Sequence, residues 1–304
     1  MNARQQYWGM RRCVKAWSVL TALLFGLGAV PGAHGHQAFA SPEVAMRAFG
    51  DAIWKDDKAA LKRLLGANFR DFIPPVGADV RYRFLSSWEK SHEVQLAVDR
   101  AYIAVGDDGW TLPIPLVKSG KGWQFDTRAG AEEMHARRIE RNELAVIQTM
   151  LAIHDAVNEY ALIARDSSGV VTYAANPSRS HGKDDGAHWP TRSNKPGRPF
   201  CPGFVGAGTL NAGKDGYHGY HYKLLTSQGP HAPGGARNYV VNDEWFGGFA
   251  LIAWPIRYQK TGLMSFMVSH EGQVYERDMG ADGAAKAAAM KSFDPGFGWR
   301  KVSP

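Results

Sequence analysis

Cysteine is scarce in this chain, and its scarcity excludes one class of fold. The sequence of 304 residues contains two cysteines, Cys13 and Cys201. Cys13 lies in an N-terminal segment that has the pattern of a leader, so the rest of the chain has one thiol and no internal disulfide. The protein is therefore not a small disulfide-stapled scaffold, and its stability has to come from packing.

Blocks of like charge are also missing. The formal net charge is +7, and the first 40 residues contribute four cations and no acid. The remaining residues therefore carry a formal charge of +3, which makes them only mildly basic. Because no charged block suggests a tail that binds nucleic acid or a membrane, we expect no nucleic-acid partner.

The longest apolar run lies near the N-terminus. Residues 16–30 are uncharged, follow a basic segment and precede small residues. This order is typical of a secretory signal peptide covering residues 1–35, with cleavage as late as residue 40. The run of about 15 residues is shorter than the roughly 20 that span a bilayer, so an uncleaved anchor is the less favoured alternative. We expect an exported, periplasmic protein without a stable membrane span after cleavage.

Residues 41–127 are predicted to form a first α+β unit. Ser41-Pro42-Glu43 indicates a helix start, because it combines a capping hydroxyl, proline at the first helical position and an acid in the first turn. A third helix is expected from residue 79 to residue 90. Its buried side chains are expected to include Tyr82, Leu85 and Trp88.

Strands are predicted after these helices. Alternating apolar residues from residue 94 onward, with turns at 106–109 and 118–122, indicate an antiparallel meander. Pro113 and Pro115 cannot donate to a sheet, so we expect an edge or a bulge there. In its order of elements, this unit resembles the NTF2-like or cystatin-like group.

Residues 128–304 are predicted to form a second unit, in which a long helix packs on a second antiparallel sheet. Val146, Met150, Ile153 and Val157 recur at helical spacing and give the helix a broad apolar face. Residues 166–216 are rich in Ser, Gly and Pro, and a loop this long is either functional or poorly ordered. Strand-like runs follow between residues 217 and 277, and a short helix is expected from about 283 to 291.

Five sequence strings carry a family resemblance. They are WTLPIPLV, WQFDTRAGAEEMHARRIERNELA, YHYKLLTSQG, FGGFALIAWPIRY and GQVYERDMG. Together they resemble the bacterial exported family DUF2950. The resemblance implies export and a shared architecture, but no reaction.

The second half also resembles the globular part of type IV pilins and pseudopilins. In those proteins a helix lies on an antiparallel meander, in the same order as NELAVIQTMLAIHDAVNEYAL and the strand-like runs after it. The helix here lacks the exposed apolar N-terminal half that pilins use for assembly. The resemblance therefore implies a pilin-like fold without implying polymerisation.

A cluster of polar and charged residues lies where the two units are expected to meet. One interpretation is an interdomain lattice of ion pairs that sets the orientation of the units. The other is an anion-binding corner. The residues are Glu133, Arg137, Arg138, Arg141, Asn142 and Glu143.

Several side chains in the second unit are candidate metal ligands of types that suit zinc. They are His181, His188, Cys201, His218 and His221. Their spacing matches no known zinc pattern, and residues three apart on a strand point to opposite faces. We therefore expect ordinary histidines and no cofactor.

Two further motifs lead to no activity. Residues 208–214 match the first part of a phosphate-binding loop, but Asp215 stands where Ser or Thr should bind magnesium, which excludes nucleotide hydrolysis. His154 and Asp155 lie on the long helix, where we expect a partly buried histidine. A general base there would need a cleft and a partner that the sequence does not reveal.

These observations favour a non-enzymatic role. We expect a binding or assembly module of the cell envelope that uses the second sheet and the 166–216 loop, with an unknown envelope protein, peptide or glycan as its partner. The alternative is a periplasmic hydrolase of an envelope polymer, metal-dependent or not, with the candidate histidines in its site. An enzyme should bring histidines together with an acid or a metal in a cleft, whereas a binding module should expose an aromatic or apolar patch.

Overall fold

The computed structural model describes residues 37–75, 77–163, 172–173, 216–242 and 244–302. The expected leader and nearly all of the expected loop at 166–216 lie outside these residues. The described chain has the α+β fold that the sequence predicts. Its buried apolar side chains form two clusters, one built from residues 39–125 and one from residues 146–302.

The first cluster is covered by helices that begin at side-chain caps. Helix α1 follows Ser41, whose Oγ accepts the amide of Val44 at 3.4 Å. Helix α2 follows Asp57, whose Oδ1 accepts the amide of Ala60 at 2.9 Å. The elements are α1 (Pro42–Trp54), α2 (Lys58–Leu65), a short 3₁₀ turn (Phe69–Asp71) and α3 (Ala78–Lys90).

These helices pack on a four-stranded antiparallel meander. Its strands are β1 (His92–Leu96), β2 (Arg100–Val105), β3 (Leu116–Ser119) and β4 (Gly122–Phe125), in that order across the sheet. The segment that returns after β2 pairs with it in two separate places. Thr111 forms a single bridge to Ala104, and regular pairing resumes when β3 begins at residue 116. Pro113 and Pro115 lie in that gap, where their missing N–H groups leave no ladder bond to make.

Helix α3 packs on α1 through two aromatic rings. Phe84 and Trp88 lie 6.4 Å and 6.2 Å from the ring of Phe49, and Trp88 covers Gly50 so closely that a Cβ atom there would lie 2.6 Å from its ring. The prediction that Tyr82 is buried is wrong, since its side chain is 70% exposed. Residue 82 lies on nearly the opposite face of the helix from residue 84, because successive residues rotate by about 100°.

The long helix α4 (Thr127–Ile163) begins at a second carboxylate cap. Asp126 Oδ1 accepts the amide of Ala129 at 2.9 Å. Gly130 allows the first turns to pack closely on Ile114, where a Cβ atom would lie 3.0 Å from the isoleucine side chain. Farther along, the predicted apolar stripe from Val146 to Val157 is buried in the second cluster.

The elements that follow α4 are β5 (Thr172–Tyr173), β6 (Tyr220–Leu225), β7 (Ser227–Gln228), β8 (Arg237–Asn238), β9 (Val240–Val241), β10 (Glu244–Phe246), β11 (Ala250–Pro255), β12 (Ser265–Ser269), β13 (Val274–Arg277), α5 (Gly283–Ala289), β14 (Ser292–Phe293) and β15 (Arg300–Lys301). The second cluster surrounds a five-stranded antiparallel sheet with the order β15-β13-β12-β11-β6. Two small sheets, β5-β10-β9 and β14-β7-β8, flank it, and β14 pairs with β7 in parallel. The strand-like runs of the sequence between residues 217 and 277 are interrupted at 236–242, where β8 and β9 form, and at 245–258, where β10 and β11 are separate strands.

None of the helices in the described segments is both long enough and apolar enough to cross a membrane. The α+β class is confirmed, while the finer likeness to NTF2-like, cystatin-like or pilin folds stays a prediction.

We predict that truncation of the buried stripe of α4 destabilises the protein much more than truncation of its flank. Met150 is fully buried, so Met150→Ala should lower the free energy of unfolding by about 2–4 kcal/mol through lost burial and a residual cavity. Leu144 lies at the exposed flank, so Leu144→Ala should lower it by less than about 1 kcal/mol. Chemical denaturation of both variants measures this difference, and equal losses would contradict the packing described.

Candidate functional site

Glu143 is the most deeply buried member of the predicted cluster at the start of α4. Its side chain is 9% exposed, and its Oε1 accepts the backbone amides of Leu263 at 2.8 Å and Met264 at 2.9 Å. A carboxylate can be buried at acceptable cost when charge-assisted hydrogen bonds replace its water. The carboxylate also lies near Tyr220, whose pKa is raised by burial first and by the Glu143 charge second.

Two neighbours of Glu143 hold the same loop, residues 256–264. Asn142 Nδ2 donates to the carbonyl of Thr261 at 2.8 Å. His135 Nε2 lies 2.7 Å from the carbonyl of Gln259, and because a carbonyl only accepts, the imidazole is the donor there. We call His135, Asn142 and Glu143 the loop clasp.

Arg137 faces the other way, toward the first unit. Its Nη1 donates to the carbonyl of Thr111 at 2.7 Å and its Nη2 to Thr111 Oγ1 at 3.1 Å. Glu133 supplies the opposite charge at 2.7 Å, one helical turn earlier. Helix α4 therefore contacts the first unit through Arg137 and the second through the loop clasp.

Arg138 and Arg141 complete the predicted cluster. Arg138 Nη2 donates to His135 Nδ1 at 3.0 Å, which agrees with a proton on His135 Nε2. Arg141 is exposed. Arg137 already uses three of its five N–H groups, so Arg138 and Arg141 have more donors to offer an anion at this corner. Anion binding here stays a prediction.

The candidate metal ligands are only partly within the described residues. His181, His188 and Cys201 lie outside them. His218 was expected on a strand, but it lies in the turn before β6 with a φ of 52°, so the expected alternation of faces does not apply to it. His221 lies on β6 with its ring 5.6 Å from that of Trp254. The described residues contain no group of three side chains that could hold a metal ion.

The structure brings together two histidines that the sequence does not connect. His154 is partly buried, as expected, and its Nδ1 lies 2.9 Å from Asp155 Oδ1. Its Nε2 lies 3.0 Å from the carbonyl of His270 and 2.9 Å from Asn158 Nδ2. Both ring nitrogens of His154 therefore have partners. His270 lies in the turn directly after β12, and nothing in the sequence of that turn predicts its contact with His154.

His270 is held in its neutral form by its surroundings. Arg237 Nη2 donates to His270 Nε2 at 2.7 Å, so the ring proton is on Nδ1. That Nδ1 is buried against Gly248 and has no hydrogen-bond partner among the described residues. Burial first, and then the Arg237 charge, lower the pKa of His270.

A cleft lies between the end of α1 and one face of α3. It has a volume of about 570 Å³ and contains two exposed rings, Trp54 and Tyr82, with exposed fractions of 64% and 70%. Arg81 Nη2 donates to the carbonyl of Trp54 at 2.5 Å and so ties α3 to α1. The lining residues are Trp54, Arg81, Tyr82, Leu85, Ser86 and Glu89.

Comparison with family models identifies the chain. The model described as "Protein of unknown function (DUF2950)" matches residues 36–302. The chain belongs to this family. Comparisons with curated proteins and with solved structures found no match. The DUF2950 resemblance is thus confirmed, and the likeness to pilins stays a prediction.

We predict that Glu143 is a major stabilising residue of the second unit. Glu143→Ala leaves two backbone amides without their acceptor, which should lower the free energy of unfolding by about 2–4 kcal/mol. The matched control is Glu140→Ala, an exposed acid on the same helix, which should change it by less than about 0.5 kcal/mol. Denaturant unfolding followed by circular dichroism gives both values, and equal midpoints for the two variants would disprove the role of the clasp.

We predict that His270 makes the fold less stable in mild acid. Its folded pKa is lowered, whereas the unfolded pKa is about 6.5. The unfolded state therefore binds the proton more readily, so stability is full above about pH 6.5 and falls as the pH drops through that value. Burial also lowers the pKa of His218 and His221, which add to the slope.

Unfolding midpoints measured from about pH 7.5 to 5.5 should therefore decline less in His270→Gln than in the wild type. Arg237→Gln removes the positive charge beside His270 but leaves the ring buried. Its midpoint should therefore fall with pH by an amount between those of the wild type and His270→Gln. Identical slopes for the wild type and His270→Gln would contradict this prediction.

Proposed function

We propose that the protein is an exported, non-catalytic binding module of the cell envelope that holds an uncharged glycan segment in the α1–α3 cleft. The observation that carries the proposal is the pair of exposed rings, Trp54 and Tyr82, beside polar side chains in one cleft. The signal-peptide pattern of residues 1–35 supports the envelope as the location.

The size and the lining of the cleft fit a small bound segment. Its volume of about 570 Å³ lies within the range of 300–1,000 Å³ that is usual for ligand sites. Large side chains exposed side by side, rather than singly, mark interaction sites on soluble proteins. Since Trp54 and Tyr82 both line the cleft, a ligand in it can contact both rings.

The charges in the cleft favour an uncharged, polyhydroxylated ligand. Arg81 and Glu89 carry opposite charges, so the lining as a whole is neutral. The guanidinium donates hydrogen bonds, the carboxylate accepts them, and the hydroxyl of Ser86 does both. A sugar ring presents C–H groups to an aromatic face and hydroxyls to such polar groups. The bond from Arg81 to Trp54 also fixes part of the site before a ligand binds, which reduces the entropy lost on binding.

The proposed binding surface lies in the first unit, between α1 and α3. The second sheet and the 166–216 loop were the expected surface, but most of that loop lies outside the described residues. The hydrolase alternative also stays a prediction, because His181 and His188 lie outside the described residues as well. His154 does not favour it, since both of its ring nitrogens are already bonded.

We predict that truncating either ring weakens glycan binding. Trp54→Ala and Tyr82→Ala should each lower the affinity for uncharged oligosaccharides, N-acetylglucosamine oligomers among them, by about tenfold, because the contact area of one ring is lost. Isothermal titration calorimetry measures this affinity. Val98→Ala is the matched control, because Val98 is a fully exposed apolar residue away from the cleft lining, and it should bind like the wild type.

Glu89→Gln should weaken binding less than the ring variants, since an amide oxygen still accepts a hydrogen bond. The proposal fails if the oligosaccharides bind equally well to the wild type and to both ring variants. It also fails if short cell-wall peptides bind in the cleft and the oligosaccharides do not.

A further inference from the structure

A fixed loop near the C-terminus presents one aromatic side chain to solvent. Phe297 is 100% exposed, and no other aromatic residue in the described segments is exposed to that extent. The amide of Gly296 donates to Asp294 O at 2.8 Å and that of Trp299 donates to Gly296 O at 3.2 Å. Trp299 packs against the second core, so residues 294–299 form an anchored turn with Phe297 at its tip.

Basic side chains flank this tip. Arg277 Nη1 donates to the carbonyl of Phe297 at 3.4 Å, and its guanidinium lies 3.1 Å from where a Cβ of Gly298 would be. Arg300 and Lys301 follow on the edge strand β15, and both are exposed. Glu276 is the one acid on β13 and β15, and it is buried beneath Arg300 at 3.1 Å. The charge that reaches solvent on these two strands is therefore positive.

We infer that the 294–299 loop docks the protein on an anionic lipid surface. Phe297 enters the boundary between headgroups and acyl chains, and Arg277, Arg300 and Lys301 meet the phosphates. Long basic side chains can keep their charges at the headgroups while an apolar group between them is inserted. The anchored turn loses little conformational entropy on docking, because its backbone is already fixed.

The neighbours of Phe297 favour lipid over a protein partner. Energetically important residues at protein interfaces are surrounded by contacts that exclude water, and lysine is depleted from interface cores. Here the adjacent residues are Gly296 and Gly298, and three basic side chains, Arg277, Arg300 and Lys301, lie close by. The acid of the loop, Asp294, is already bound to His231. A charged, short edge strand also discourages pairing with other strands. That role accounts for Arg300 and Lys301 but not for an exposed phenylalanine.

This inference is independent of the glycan proposal, and vesicle binding tests it. The protein, as purified from the cells that produce it, is mixed with vesicles of equal parts phosphatidylglycerol and phosphatidylcholine, or of phosphatidylcholine alone. The fraction of protein bound to the vesicles is measured by sedimentation. We expect binding to the anionic vesicles that weakens with salt, and about tenfold weaker binding by Phe297→Ala, because the buried area of one ring is lost. Val98→Ala should bind like the wild type, and equal unfolding midpoints will show that both variants are folded.

Three results of the vesicle experiment would overturn the inference. They are no binding of the wild type to anionic vesicles, equal binding to both vesicle types, and equal binding by Phe297→Ala and Val98→Ala. A photoreactive phenylalanine analogue at position 297 then identifies the contact in intact cells. A lipid adduct supports docking on the membrane, and a protein adduct as the main product refutes it.

Discussion

The carboxylate of Glu143 is buried in the side of α4, and two backbone amides of the 256–264 loop hold it there. Burying a carboxylate there without those donors would be strongly unfavourable. This part of the helix can therefore pack into the core only when the loop packs against it. The neighbouring His135 and Asn142 bind carbonyls of the same loop. Between His135 and Asn142 on the same helix, Arg137 binds Thr111 of the first unit. The contacts between the two cores therefore depend on a few residues of one helix.

Local patterns were readable from the sequence because their physical causes are local. Ser41-Pro42-Glu43 predicted the start of α1, and the stripe from Val146 to Val157 predicted the buried face of α4. Tyr82 was assigned wrongly because α3 carries apolar residues on two faces, and only the packing against Phe49 shows that Phe84 and Trp88 face the first cluster. His218 was assigned wrongly because the neighbouring left-handed glycines at 216 and 219 form a turn where the composition suggested a strand.

The candidate sites were harder to predict, and the reason is the nature of their partners. The sequence identified Arg137, Asn142 and Glu143 as a group, but these side chains bind mostly backbone groups. Because nearly every residue has a backbone amide and carbonyl, the residue types of the sequence do not show which backbone group will be the partner. The contact between His154 and His270 joins residues more than a hundred positions apart through a main-chain carbonyl. The α1–α3 cleft was missed for a related reason, since it depends on which face of α3 packs inward.

The same helix also limits how the two proposed surfaces can move relative to each other. Helix α4 has 37 residues, which makes it about 55 Å long at 1.5 Å per residue. Its first turns pack on Ile114, the loop clasp fixes the turns at 135–143, and the buried stripe fixes those from 146 onward. No stretch between residues 127 and 157 is left without tertiary contacts at which a hinge could form. The unit that carries the cleft and the unit that carries Phe297 are therefore joined by a packed helix rather than by a flexible linker.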